Sequence, residues 1–267
     1  MDLKRLLPAP AISFFRNAYR GRGLIYFLYR SCWDRDYPRL CIHSTYWHLR
    51  SALTGEPLVH FIGDSHTTPF NFQPGMVVHH IGQATAHNLG NAESSSDSSR
   101  QLSIVLSQID RKRDFVVMVF GEIDCRVHFY YQFMKQKKKA PLIVLMDATI
   151  RNYGTVLDRM KADKWRFAVL GVPPAGKQQN IYKYPFYGSE TERVEISRNF
   201  NQKLYAFCKK HRYPFIDIWK ETADSSGMLK PSFARDEIHL CEKIVPYVAQ
   251  KLDAAFGTNH TSQLRCQ

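Results

Sequence analysis

Hydrophobic and polar positions alternate with two different periods along the chain. From about residue 57, short runs rich in Val, Ile and Phe are separated by longer stretches whose apolar residues recur every three or four positions. The short runs are typical of strands buried on both faces, and the longer stretches are typical of amphipathic helices. The predicted strands are residues 57–65, 75–82, 114–124, 166–174 and 213–219, and the predicted helices are residues 98–112, 140–163, 191–211 and 241–256.

This alternation predicts an α/β fold. Right-handed crossovers between parallel strands would give a three-layer α/β/α sandwich around a five-stranded parallel sheet. Ligands in such folds bind at the carboxyl ends of the strands. The Ser-rich residues 88–100 are too polar for the core and are predicted to form a surface loop near that edge. Pro246, inside the last helical stretch, predicts either a kink or an early helical turn.

The front of the chain differs from the rest in charge. Residues 1–50 hold nine Lys or Arg against three Asp or Glu, which accounts for +6 of the net charge of +13. We therefore separate an N-terminal segment, 1–56, from an α/β domain, 57–267. Two interpretations of the segment stay open: its aromatic side chains pack on the domain while Arg faces water, or it is a peripheral arm that contacts anionic lipid. Its longest apolar run, residues 24–29, falls short of the roughly 20 residues that a spanning helix needs.

Several classes of protein are disfavoured by the motifs that the sequence lacks. Six Cys without a C-x-x-C pair favour a reducing, cytoplasmic location, and no export signal is evident. His79, His80 and His87 have no carboxylate or Cys at zinc-ligand spacing, and no phosphate-binding Gly-rich loop occurs, so we expect neither a metal nor a cofactor. The basic run 135–139 is interpreted as a solvated cluster, and no nucleic-acid partner is expected.

The candidate chemistry lies at the ends of two predicted strands. Ser65 follows the first strand, where it is either a turn or N-cap residue or a nucleophile. Asp236 and His239 stand three residues apart between the fifth strand and the last helix. In a tight turn, the carboxylate can hold one imidazole nitrogen and leave the other to take a proton from Ser65. His66 is predicted to help the helix entry, and Cys125 is predicted to be buried and structural.

These blocks resemble those of the SGNH (GDSL-like) hydrolase superfamily. "GDSHT" resembles the family's first block and "DEIH" its last, and the resemblance covers roughly residues 57–256. It implies a parallel sheet in flavodoxin-like order and a serine esterase with Ser65, His239 and Asp236 as its triad, working without a cofactor. "FGEIDCR" and "IGQATAHNLG" also resemble a bacterial SGNH-like subgroup without an assigned substrate.

The resemblance also implies an oxyanion hole made by the Ser65 backbone N–H, a Gly after the second strand and an Asn after the third. Gly82 stands where the Gly is expected, although Gly is also an ordinary strand terminator. In "FGEIDCR", Gly121 and Asp124 match the third block, but Ile123 occupies the position of the Asn. Ile has no side-chain donor, and losing one oxyanion donor typically costs about 10²–10³ in rate.

Three residues around Ile123 are candidates for binding the oxyanion or the substrate: Glu122, Asp124 and Arg126. Arg126 can supply a cationic donor. Glu122 can pair with Arg126 or accept a hydrogen bond from a sugar hydroxyl.

The function predicted from these residues is hydrolysis of an O-acyl ester, with an acetyl ester on a carbohydrate as one candidate. Tyr182, Tyr184 and Phe186, in the loop after the fourth strand, can stack on sugar rings or pack within the loop. One alternative is a lipid or thioester acyl hydrolase at a membrane surface, which gives the basic N-terminal segment a purpose. The other is a catalytically weak glycan-binding or scaffold protein, which accounts for the absent Asn.

Overall fold

The computed structural model describes residues 36–94, 97–136, 141–177 and 187–258. One five-stranded sheet has the order β2-β1-β3-β4-β5, and every neighbouring pair is parallel. The strands are β1 (Val59–Gly63), β2 (Met76–His80), β3 (Phe115–Val119), β4 (Phe167–Leu170) and β5 (Phe215–Ile216). Each lies inside a predicted span, and the predicted flavodoxin-like order is confirmed.

Helices connect the strands and flank the sheet. The α-helices are α1 (Tyr37–Thr54), α2 (Ser98–Leu106), α3 (Phe129–Lys135), α4 (Leu142–Ala162), α5 (Glu190–His211), α6 (Trp219–Thr222) and α7 (Val245–Phe256). Shorter 3₁₀ turns occupy Ser65–Phe70, Pro231–Phe233 and Glu242–Ile244, and a π-helical turn, Asp124–His128, leads into α3. The four predicted helices correspond to α2, α4, α5 and α7. Pro246 lies in the first turn of α7, where its missing N–H has no intrahelical partner to lose.

Both faces of the sheet are buried. On one face, Ile62 and Met118 belong to an apolar cluster that includes side chains of α2, α4 and α5. On the opposite face, Phe61 and Val117 belong to a cluster that includes side chains of α7. Strands covered on both sides must be apolar at successive positions, which explains the near-continuous hydrophobic runs of the sequence. The three-layer α/β/α architecture is therefore confirmed.

Helix α1 was not predicted, and it belongs to the N-terminal segment. Its Trp47 packs with Leu58 and Val77, so the described part of that segment lies against the sheet. Pro38 in the first turn and Gly55, which caps the end with a φ of 76°, delimit the helix. Within the described ranges no helix, α1 included, is long and apolar enough to cross a membrane. Residues 1–35 lie outside the described residues, and the boundary at 56/57 stays a prediction.

Candidate active site

The end of β1 brings the chain close to β3 before it turns. A Cβ atom at Gly63 would collide with the carbonyl oxygen of Val119, so only glycine fits here. Asp64 then caps the following 3₁₀ turn: its buried carboxylate accepts a hydrogen bond from the backbone N–H of His66 at 2.8 Å. Ser65 is the first residue of that turn. The sequence "GDS" thus places the Ser65 hydroxyl at the carboxyl edge of the sheet.

The Asp236 to His239 segment forms a turn held by the aspartate. One carboxylate oxygen of Asp236 accepts hydrogen bonds from the backbone N–H groups of Ile238 at 2.9 Å and His239 at 2.8 Å. This Asx-type arrangement fixes the turn locally, independently of the rest of the chain. The His239 ring folds back over it, and Nδ1 lies 2.8 Å from Asp236 Oδ2. The three-residue spacing therefore builds the predicted aspartate–imidazole pair.

The two segments meet, although 174 residues separate them. His239 Nε2 lies 2.8 Å from Ser65 Oγ, while its other ring nitrogen faces Asp236. The hydroxyl, the imidazole and the carboxylate are connected in series, which is the geometry of a nucleophile, a base and the group that orients the base. The structure thus brings together the three residues predicted as catalytic. Their catalytic roles stay a prediction.

The surroundings favour a neutral His239 and an ionised Asp236. Burial lowers the pKa of His239 below its ordinary value of 6.5, and the nearby His66 lowers it further, while Asp236 opposes both effects. Burial opposes the ionisation of Asp236, but the N–H groups of Ile238 and His239 together lower the pKa of that carboxyl below 3.8. A neutral imidazole beside an ionised carboxylate can accept the serine proton.

A buried charged group lies directly beside the triad. Glu122, which follows β3, accepts a hydrogen bond from Arg126 Nε at 2.7 Å. Its other oxygen lies 3.1 Å from His66 Nε2, at ion-pair distance but without the alignment of a hydrogen bond. The ring of His66 in turn lies 4.9 Å from that of His239. We call this group the carboxylate cluster; it consists of Glu122, Arg126 and His66. The cluster contacts the triad through the His66 ring.

Charge compensation decides the protonation of this cluster. Burial opposes every charge here, but the neighbouring His66 and Arg126 lower the pKa of Glu122 to about 2. Burial also opposes the charged form of His66, yet the Glu122 carboxylate raises the pKa of His66 above 6.5. Burial raises the pKa of Asp64 to about 6, because the charge of His66 only partly offsets it. The cluster therefore holds an ionised Glu122 and favours a positive charge on His66.

Asp124, which the sequence offered as a substrate-binding residue, lies in a different setting. The side chain is fully buried, and its carboxylate accepts hydrogen bonds from the backbone N–H groups of Ala86 at 2.7 Å and His87 at 3.1 Å. Burial still raises its pKa to about 7. Asp124 therefore holds the loop after β2 in place through the backbone of Ala86 and His87. The predicted contact of Asp124 with a substrate stays a prediction.

The predicted backbone donors stand at the same edge of the sheet. Gly82 follows β2 with a φ of 88°, a left-handed conformation that glycine adopts without strain. Neither the Ser65 nor the Gly82 backbone N–H donates a hydrogen bond to any described residue. Ile123 is partly buried, and no side-chain donor exists at the position where the Asn was expected. Arg126 approaches this region with Nε committed to Glu122.

A second histidine–aspartate pair lies deep under α1. His60 Nε2 is 3.4 Å from Asp114 Oδ2, and its Nδ1 is 2.9 Å from His79 Nε2. Burial opposes the ionisation of Asp114, but bonds from His60 and Arg113 lower the pKa of that carboxyl well below its ordinary value. Burial lowers the pKa of His79 strongly.

The remaining predictions concern the other histidines, Cys125 and three aromatic residues. Across the described residues, no group of three or more His, Cys, Asp or Glu side chains has the arrangement of a metal site. His87 Nδ1 instead lies 2.9 Å from Thr149 Oγ1. Cys125 is buried, and burial raises the pKa of its thiol well above 9.0, which agrees with the predicted structural role. Tyr182, Tyr184 and Phe186 lie outside the described residues.

Sequence reasoning missed the contact of His66 with Glu122. The predicted help of His66 at the helix entry is confirmed by its backbone bond to Asp64, but its ring makes the further contacts. The sequence carried a partial signal, since Glu122 and Arg126 stand four residues apart and their pairing was one of the two alternatives for Glu122. The approach of His66 depends on β1 and β3 being neighbours, which no local motif encodes.

Comparison with known proteins gave structural likenesses only. No protein-family model matches the chain, and neither does any curated protein. A catalytic mutant of Axe2, an acetylxylan esterase from Geobacillus stearothermophilus, is similar at 16% identity and a TM-score of 0.49, over 76% of this chain and 95% of that chain. A GDSL-like lipase from Bacteroides thetaiotaomicron gives 16% identity and a TM-score of 0.48, over 83% and 97%. The acetyl xylan esterase AlAXEase gives 15% and 0.46, over 74% and 98%. At these values the likenesses assign neither a family nor an activity to this chain.

Proposed function

We propose that this protein is a serine hydrolase that cleaves an O-acyl ester. The observation that carries the proposal is the series of two short contacts, Ser65 Oγ to His239 Nε2 at 2.8 Å and His239 Nδ1 to Asp236 Oδ2 at 2.8 Å. A serine that served only as a turn residue would not need an imidazole oriented by a carboxylate, 174 residues away in the chain.

The proposed reaction has two halves. Ser65 Oγ bonds to the acyl carbon while its proton moves to His239 Nε2, and that proton then leaves with the alcohol as the ester bond breaks. Water next attacks the acyl-serine, again giving its proton to His239, and the acid is released with the serine restored. Asp236 holds the ring and stabilises the transient imidazolium. The backbone N–H groups of Ser65 and Gly82, which have no acceptor among the described residues, are the proposed oxyanion donors.

For the substrate, we propose a small acyl group, acetyl first, on a carbohydrate alcohol. Support comes from the sequence resemblance and from the three aromatic residues after β4, which suit sugar stacking. In the alternative, the protein binds a glycan through the same residues but does not hydrolyse an ester. Rates on p-nitrophenyl acetate, p-nitrophenyl octanoate and acetylated xylo-oligosaccharides would rank the acyl and alcohol preferences.

The decisive experiment is covalent labelling with a fluorophosphonate probe, read by intact mass. Wild-type protein should gain one label, and Ser65→Ala should gain none, because Ser65 is the one serine of the described ranges that faces an imidazole oriented by a carboxylate. Ser103→Ala, which removes an exposed serine of α2, is the matched control and should label like wild type. A folded wild type without label would refute serine hydrolysis and favour the binding protein, and a label that persists in Ser65→Ala would refute Ser65 as the nucleophile.

A further inference from the structure

Helix α1 presents apolar side chains on the face turned away from the sheet. Four of them, spaced by four, three and four residues, fall on one side of the helix. Their exposed fractions are 70% for Ile42, 56% for Tyr46, 45% for Leu49 and 88% for Leu53. On the opposite side, Trp47 is buried against the sheet. These four residues, which we call the outward row, therefore remain accessible although the helix is already packed.

The charge around the outward row is predominantly positive in the sequence. Residues 37–54 contain no Asp or Glu, and the preceding residues 1–35 hold seven Lys or Arg and seven aromatic residues against two Asp. Arg39 and Arg50 lie on α1 itself, where they pair with Asp36 and Glu56 at 3.1 Å in solvent-exposed contacts. Such exposed pairs contribute little energy and exchange readily for other anions.

We propose that the outward row docks on the surface of an anionic lipid bilayer. An exposed apolar helix face continuous with a basic, aromatic stretch of chain is the composition of helices that lie in the membrane interface. The row would enter the boundary between headgroups and acyl chains, with Arg39 and Arg50 at the level of the lipid phosphates. Trp47 stays packed on the sheet, so α1 lies on the membrane as part of the folded domain.

A second copy of the chain is the other occupant that this spacing fits, because rows spaced by three and four residues also pair helices. Charge favours the lipid. Symmetric pairing would bring together two chains that each carry a net charge of +13, and their repulsion would oppose association. An anionic surface is instead attracted by both the segment and the whole chain, whose net charge is +13.

The test is sedimentation of the full chain with vesicles made of phosphatidylcholine alone or of equal parts phosphatidylcholine and phosphatidylglycerol. Wild type should sediment with the anionic vesicles and be released as NaCl rises, since salt screens the charges. Ile42→Glu/Leu53→Glu should lower the partition coefficient at least about tenfold, because two apolar anchors are lost. Ile143→Glu/Val144→Glu on α4 is the matched control: its side chains are 45% and 48% exposed, and the charge change is identical.

Three outcomes would overturn the proposal. The first is a wild type that sediments with neither vesicle. The second is an equal loss of binding in both double variants, which would assign the binding to net charge alone. The third is an Ile42→Glu/Leu53→Glu protein that binds as wild type does. Light scattering tests the other occupant, a second copy of the chain. If wild type is dimeric and does not bind vesicles, while Ile42→Glu/Leu53→Glu is monomeric, the outward row is assigned to that second copy. Circular dichroism and thermal melting confirm that each variant is folded.

Discussion

Two histidine–aspartate pairs occupy this fold, and they differ in what lies on the far side of the ring. His239 faces Asp236 with one nitrogen and the Ser65 hydroxyl with the other. His60 faces Asp114 with one nitrogen and a second imidazole, His79, with the other. The side chain of His60 is completely buried, whereas that of His239 is 10% exposed.

A histidine–aspartate pair alone therefore does not identify the proposed catalytic site. In both places a carboxylate orients an imidazole, and in both the neighbouring N–H groups keep the carboxylate ionised. Only His239 combines that orientation with a hydroxyl and with access from solvent. The pair at His60 satisfies buried polar groups between β1, β2 and the start of β3, which is a structural task.

The largest effect expected from this comparison separates the two aspartates. Asp236→Asn keeps an oxygen for the backbone N–H groups but offers an amide to His239 Nδ1, so the ring is held in the wrong tautomer. We expect kcat on p-nitrophenyl acetate to fall by about 10⁴-fold with the fold retained. Asp114→Asn loses the charged bonds to His60 and Arg113, and we expect about 1–3 kcal/mol less free energy of unfolding with kcat nearly unchanged. Steady-state kinetics and urea unfolding measure both.

Equal losses of activity in the two variants would contradict the comparison, as would an active Asp236→Asn. An active Asp236→Asn would mean that the ring of His239 does not need its carboxylate, and the proposed catalytic role of the site would fail. Equal losses in the two variants would mean that the pair of His60 and Asp114 is also required for activity.

The carboxylate cluster allows a further comparison, because it contains a buried ion pair and its His66 ring contacts the ring of His239. Glu122→Gln removes the negative charge between His66 and Arg126, and we expect the free energy of unfolding to fall by about 3 kcal/mol at neutral pH. The folded-state pKa of Glu122 is depressed to about 2, so its contribution is present above its unfolded pKa of about 4.3 and is lost as pH falls through that range. The difference between wild type and Glu122→Gln should therefore shrink towards pH 2–3.

The matched control is Glu195→Gln on the exposed face of α5, which should stay within about 0.5 kcal/mol of wild type. A Glu122→Gln protein as stable as the control would show that the 3.1 Å approach of Glu122 to His66 contributes nothing to folding.

The meeting of Ser65, His239 and Asp236 could be predicted because the turns that present them are encoded locally. Gly63 and Asp64 set the turn that presents Ser65, and Asp236 builds its own turn around His239. Continuous apolar runs indicate the strands. Ser65 follows β1 directly, and Asp236 and His239 lie between β5 and α7, so their meeting at the carboxyl edge is expected from the parallel sheet.

What could not be predicted depends on contacts between distant segments. The meeting of His66 and Glu122 requires β1 and β3 to be neighbours, and the burial of Asp124 requires the loop at Ala86 to fold over it. Helix α1 was not predicted for another reason. Its Trp47 is buried on one side, while Ile42 and Leu53 are exposed on the other. Its apolar residues therefore do not form the single stripe that indicates an amphipathic helix.

The smallest expected effect concerns the pH dependence of activity, which reports the pH above which His239 is neutral and can act as a base. His239 must be neutral to accept the Ser65 proton, and burial together with His66 lowers its pKa below 6.5 against the opposing charge of Asp236. We therefore expect kcat/KM on a neutral ester to rise with pH to a plateau, with its midpoint below 6.5. Asp114→Asn should give the same midpoint, because the second pair takes no part in the reaction. A midpoint above 6.5 in wild type would mean that Asp236 outweighs burial in setting the charge of His239, and a shift in Asp114→Asn would couple the two pairs that the geometry keeps apart.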